Sequence, residues 1–218
     1  SDNTFQLAVK QFVMMDMVDW KGTFGDDVIS YNDYQKVDYV KNQPDKDFMM
    51  GDAGNDVLLA GKGGDTLIGG SGNDIMDGGA NGTGNDPWMV NDVAEYQASI
   101  ERFTVGKVTF EGKKLKIMDQ SSKSAAFIIT PELKGKDTYG VIKRAGEDTA
   151  IHTIKKGDTF FTVSDSLSEE FGGEGTDLLF GMEQARFGFD WDGTVNFQVN
   201  YMVHTDMVDA EGTLFGDV

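Results

Sequence analysis

Between Gly51 and Asp77 a large apolar residue recurs at every ninth position, Leu58, Leu67 and Met76. Written in nines, the stretch reads GDAGNDVLL, AGKGGDTLI, GGSGNDIMD. The closing three residues of each unit read as a very short strand with its central side chain turned inward. The glycines before it permit left-handed turns and close backbone packing. Units of this kind stack, so the pattern predicts two flat sheets joined by turns. From Trp88 onward the glycine density falls and strand patterning takes over. Val108-Thr109-Phe110 and Leu115-Lys116-Ile117 flank a hairpin signal, and further strands are expected at 126–130, 139–142 and 150–154. Val195–Val203 alternates at period two. These strands predict an antiparallel, sandwich-like β region, so the fold class expected is all-β throughout.

The polar half of each nonapeptide carries the chemistry. Position 4 is Gly54, Gly63 and Gly72, and position 6 is Asp56, Asp65 and Asp74. Stacking puts these aspartates in rows along the edges of the sheets, about 5 Å apart. Bare carboxylates at that spacing repel each other strongly. A hard dication removes the conflict, and calcium takes six to eight oxygens at about 2.3–2.6 Å from carboxylates and backbone carbonyls. The pattern therefore predicts a parallel β-roll holding several calcium ions.

These residues resemble the repeats-in-toxin (RTX) family of secreted bacterial proteins, most specifically over 51–77. A looser unit, Gly22–Ser30, precedes them across an expected looped-out insertion at 31–50, and Gly78-Gly79-Ala80 opens another unit interrupted before Gly84-Asn85-Asp86. The resemblance implies that each ion lies between one turn and the next turn on the same edge. That pairs Asp56 with Asp74 and Asp65 with Asp86, with Asp27 capping one row. The ligand set it implies is Asp27, Gly51, Ala53, Asp56, Lys62, Asp65, Gly70, Gly72, Asp74, Gly79, Asp86 and Asp177. Gly172–Phe180 is also a complete nonapeptide, but it stands alone in the sequence and is expected not to build a roll. The segments Val93–Tyr96, Phe103–Val105, Phe160–Asp165 and Met182–Phe187 are similar to a module that follows RTX rolls. Here its two halves are separated by an insert at 106–158.

Composition narrows the function. The chain has 37 acidic and 19 basic residues, a net charge of -18, which disfavours nucleic acid and anionic membranes as partners. The insert 106–158 reverses the sign: it holds 11 of the basic residues against seven acidic ones. That face suits an acidic glycan or a neighbouring acidic roll, and equally a set of solvated lysines. There are no cysteines, hence no disulfides or thiolate metal site, and no apolar run long enough to span a bilayer. The sequence carries no zinc-protease, nucleophile-elbow or P-loop motif, so no enzyme activity is expected.

Asp16–Asp19 recurs as Asp206–Asp209, Gly22-Thr23 as Gly212-Thr213 and Phe24–Asp26 as Phe215–Asp217. This spacing predicts a tandem period of about 190 residues, read here as a fragment of a longer chain. The expected organisation is a lead-in strand at 1–21, a roll at 22–90, a β domain at 91–205 and the start of the next repeat at 206–218. The expected function is a repeat of a large secreted RTX surface protein or adhesin, exported by type I secretion. Its partners are calcium, neighbouring repeats and cell-surface glycans. A purely structural spacer or surface-layer-like repeat stands as one alternative. A carbohydrate-binding module or the RTX module of a secreted enzyme stands as another.

Overall fold

A computed structural model describes residues 19–30, 47–81, 91–188, 193–196 and 201–202. The repeat copy at 206–218, most of the lead-in strand and most of the 31–50 insertion lie outside the described residues.

Two sheets form the roll. The first contains, as parallel neighbours, β1 (Asp19–Lys21), β3 (Phe48–Ala53), β6 (Thr66–Ser71), β9 (Val93–Tyr96) and β17 (Gln184–Phe187). Two antiparallel strands, β18 (Gly193–Asn196) and β19 (Tyr201–Met202), extend it. The second contains β2 (Val28–Ser30), β4 (Val57–Leu59), β7 (Ile75–Asp77) and β16 (Thr176–Phe180), again parallel. It continues antiparallel into β15 (Thr159–Asp165) and β10 (Phe103–Thr109). A small parallel pair, β5 (Lys62–Gly63) with β8 (Ala80–Asn81), joins turns on one edge.

The register explains the nonapeptide period. One column of inward residues runs Met49, Leu67, Ala94, Ala185, each opposite the next. The facing column runs Ile29, Leu58, Met76, Leu179. All eight are buried in one core, which continues through Phe103, Val105, Phe161 and Val163. Adjacent strand residues point to opposite faces, so Val57, Ile75 and Leu178 face outward from the roll. They are buried all the same, because a third sheet covers them.

That third sheet is antiparallel: β11 (Leu115–Met118), β12 (Ala125–Lys134), β13 (Asp137–Arg144) and β14 (His152–Lys155). Its inner face, Ile117, Phe127, Ile129, Ile142 and Ile154, shares a second core with Val57, Ile75, Leu178, Phe110, Phe160 and Phe180. The protein is therefore all-β, a parallel roll with an antiparallel layer packed on one of its sheets. Among the described residues no helix is long and apolar enough to cross a membrane.

The order of parts differs from the expected succession of roll and then β domain. The roll does not stop near residue 90. The chain leaves it after β9, builds β10 to β15, and returns at β16 to stack on β7. Gly172–Phe180 is thus a further coil of the roll and not an isolated turn. The 31–50 insertion is also shorter at its C-terminal end than expected, since Phe48–Met50 already pairs with β1. Loop-closure entropy grows only logarithmically with length, so a long excursion between coils costs little more than a short one.

Gly72 shows how tightly the coils stack. Its φ is +137°, and a Cβ there would collide with the carbonyl of Gly54 in the preceding coil. Gly72→Ala should cost about 3 kcal/mol or more, combining left-handed strain with overpacking. Gly146→Ala, also at positive φ but with open space around it, should cost only the strain. Urea unfolding of both variants in calcium checks the difference.

Candidate metal centre

The turn residues form ladders. On one edge the backbone N–H of Asp27 donates to Asp56 Oδ1 at 2.8 Å, that of Asp56 to Asp74 Oδ1 at 2.7 Å, and that of Asp74 to Asp177 Oδ1 at 2.9 Å. On the other edge Asp47 N–H donates to Asp65 Oδ1 at 2.6 Å, Asp65 N–H to Asp92 Oδ1 at 2.8 Å, and Asp92 N–H to Glu183 Oε2 at 2.7 Å. Each carboxylate so reaches one coil back and ties it in place. A parallel ladder one residue earlier uses Asp26, Asn55 and Asn73: Asn55 N–H donates to Asp26 Oδ1, Asn73 N–H to Asn55 Oδ1 and Thr176 N–H to Asn73 Oδ1, at 2.7–3.0 Å.

One oxygen of each carboxylate is used in this way, and the second is the notable one. Oδ2 of Asp56, Asp74 and Asp92 is buried without a hydrogen-bond partner. Each lies against the Cα of a glycine, Gly51, Gly69 and Gly78 respectively, where a Cβ would overlap it. An orphaned, buried carboxylate oxygen costs several kcal/mol of lost hydration as an anion. Burial, with the neighbouring aspartates adding to it, accordingly pushes Asp56 up to about 6 and Asp74 and Asp92 up to about 8. Burial likewise holds Asp177 well above the usual carboxylate range, and Asp74 adds to it.

Among the described residues no three His, Cys, Asp or Glu side chains converge on one point. The oxygens that do lie near one another are carboxylates and turn carbonyls: Asp56 Oδ2 and the Gly69 carbonyl both lie against Gly51. Carbonyls of Gly51, Asp52, Gly54, Gly61 and Gly69 face the adjacent turn, each next to a glycine whose Cβ would strike it. Few charged ligands and many neutral oxygens is a composition that suits calcium.

The sequence-derived candidates fall as follows. Asp56 and Asp74 are adjacent rungs of one row. Asp27 stands at the end of that row, its Oδ2 accepting from the Thr23 hydroxyl at 2.8 Å. Asp177 is its fourth rung. Gly51, Ala53, Gly70 and Gly72 lie in the turns and strand ends of this edge, while Lys62 and Gly79 border the other through β5 and β8. Asp86 lies outside the described residues, and the rung beside Asp65 is Asp92, not Asp86. Both follow an asparagine, and only Asp86 also follows a glycine two residues back, as Asp56 and Asp74 do. Asn91-Asp92-Val93-Ala94 repeats the sense of Asn55-Asp56-Val57-Leu58 at a whole number of nonapeptide periods, a signal available in the sequence. Asp47 and Glu183 were also missed. Asp47 precedes Phe48-Met49 as Asp56 precedes Val57-Leu58, but its turn has no glycine signature, and a glutamate departs from the template.

Comparison with known proteins agrees over part of this region. Residues 50–86 match the RTX calcium-binding nonapeptide repeat in four copies. No curated protein and no solved structure matches the chain. The protein therefore carries RTX calcium-binding nonapeptide repeats over these residues. The rungs at Asp47, Asp92, Asp177 and Glu183 lie outside the matched residues.

Because Asp56, Asp74 and Asp92 titrate higher folded than unfolded, protons stabilise the metal-free fold. That contribution is fully present below about pH 4 and is lost as pH climbs through about 8. In chelator, the melting temperature should fall steadily between pH 5 and pH 9. Calcium needs the deprotonated form, so its affinity should rise over the same range. A chelated melting temperature that rises with pH would contradict the raised values.

Proposed function

We propose that this chain is a repeat unit of a large secreted bacterial RTX surface protein, in which calcium drives folding and stiffens an extracellular array. The observation that carries this reading is the pair of buried carboxylate rows with orphaned oxygens at Asp56, Asp74 and Asp92. The ions lie between successive turns. Asp27, Asp56, Asp74 and Asp177 supply carboxylates on one edge, with carbonyls from Gly51, Ala53, Gly70 and Gly72. Asp65 and Asp92 serve the other edge, with carbonyls from Lys62 and Gly79. Calcium supplies the positive charge that the rows lack; the chain's own residues hold the turns in register and exclude water from the oxygens. At low calcium the rows repel and the coils stay apart, a state suited to export by type I secretion. At extracellular calcium, binding to the folded state alone shifts the balance by mass action.

Within this class, a structural repeat fits better than a glycan-reading adhesin. The inner face of the insert is consumed by packing on the roll. What it offers outward is a line across three strands, Lys116 opposite Ile128 opposite Lys143, with exposed Lys134 and Lys155 at one end. An adhesin reading rests on those lysines. A calcium-dependent signal on a glycan array, lost in a lysine-to-glutamate variant of Lys116 and Lys143, would favour it; silence favours the spacer.

Chelation should lower the melting temperature by tens of degrees, since stability scales with the metal's binding free energy. An unchanged midpoint would defeat the calcium reading. Asp74→Asn should raise the calcium midpoint about tenfold or more, equivalent to about 1.4 kcal/mol, because Asp74 serves two adjacent gaps. Asp137→Asn, on the exposed hairpin and paired only with Lys155 at 3.4 Å, should leave it unchanged.

A further inference from the structure

The insert and the roll meet mainly through apolar side chains, with Arg144 a buried polar contact between them. Arg144, the last residue of β13, is 8% exposed. Its Nη2 donates to the carbonyl of Asn55 at 2.5 Å and to that of Asp56 at 3.2 Å, and its Nε to that of Asn73 at 3.5 Å. Its hydrogen-bond partners are all main-chain carbonyls, and no carboxylate lies within ion-pair distance of it among the described residues. A buried guanidinium ordinarily takes a carboxylate, whose bidentate geometry it matches. Here the fork spans two coils of the roll instead. Asn55 and Asp56 belong to one coil and Asn73 to the next. The Asp56 carbonyl also accepts the Ile75 N–H that stacks those coils, at 2.9 Å. The three acceptors share one guanidinium only when the coils are in register.

The rest of the docking surface makes the same demand. Val57, Ile75 and Leu178 come from three successive coils and are covered together by the insert's inner face. Leu178 lies in β16, which follows the insert in the chain. On the neighbouring edge strand β14, the His152 ring is 4.5 Å from that of Phe180, and its Nε2 is 3.7 Å from Asp77 Oδ2. The surface on which the insert sits does not exist until the coils have stacked.

Resting on the calcium reading, we propose that Arg144 is a positioning residue that couples docking of the insert sheet to calcium-driven stacking of the coils bearing Asp56 and Asp74. The insert thereby becomes a calcium-dependent layer of the roll. Loss of calcium releases it and bares the apolar face of Ile117, Phe127, Ile129, Ile142 and Ile154.

Hydrogen exchange of the full chain, followed by mass spectrometry across a calcium titration, tests this. Peptides from β4 to β7 report the roll and peptides from β12 to β13 report the insert. In the wild type both should gain protection at one calcium midpoint. In Arg144→Gln the insert midpoint should move at least about tenfold above that of the roll, a separation that a purely structural loss, which shifts both together, does not produce. Arg144→Lys keeps the charge but cannot span two coils, and should separate the midpoints by less; it gives the reading should the glutamine variant fail to fold. Insert peptides protected in chelator, or midpoints that stay together in both variants, would overturn the coupling while leaving the calcium reading intact. Roll peptides indifferent to calcium in the wild type would overturn both.

Discussion

Stacked like charges govern this molecule. A coil that repeats at nine residues must lay its turn aspartates one strand spacing apart, and here they are buried as well. The ladder hydrogen bonds satisfy one oxygen of each carboxylate and fix the coils in register. They leave the other oxygen of Asp56, Asp74 and Asp92 facing a glycine with no donor. Among the described residues no side chain is seen to complete that arrangement: the buried Arg144 donates to main-chain carbonyls instead. RTX nonapeptide repeats bind calcium, which carries the charge the rows lack. Both apolar cores are lined by residues from successive coils, so the register of the coils governs both.

The dependence reaches further than a short run of repeats would allow. The roll is assembled from distant pieces of chain, with Asp74 answered by Asp177 and Asp92 by Glu183. The excursion between β9 and β16 does not hang from the roll as a separate head. It folds back as a sheet whose apolar face needs Val57, Ile75 and Leu178 beneath it. Arg102, paired with the buried Asp165, ties down the return, since Asp165 also accepts from the backbone of Leu167 and Glu174. One hydrogen-bonded unit thus holds residues from both ends of the excursion.

Much of the roll was legible from sequence because its constraints are local. A turn aspartate and an inward apolar residue must occupy fixed places in every coil, so Asp56, Asp65, Asp74, Leu58, Leu67 and Met76 announce themselves. The all-β class followed from the same pattern together with the period-two strands of the insert. What failed to show was non-local. Nothing in Gly172–Phe180 says that it stacks on Ile75–Asp77 a hundred residues earlier. Asp86 and Asp92 differ only in which of two asparagine-aspartate pairs lands in register after an interruption. Val57, Ile75 and Leu178 read as neutral positions in the repeat, yet they form the floor of a second core. Arg144 read as one basic residue among eleven, and only tertiary placement separates it from the solvated lysines around it.

The central claim is that a cation occupies the gap between the turns of Asp56 and Asp74. A crystal structure grown in calcium, with anomalous data collected to identify the ion, addresses it most directly. The account predicts an anomalous peak between those turns, coordinated by both aspartates and turn carbonyls at about 2.3–2.6 Å. A well-ordered roll with both carboxylates in place and no peak there would contradict it.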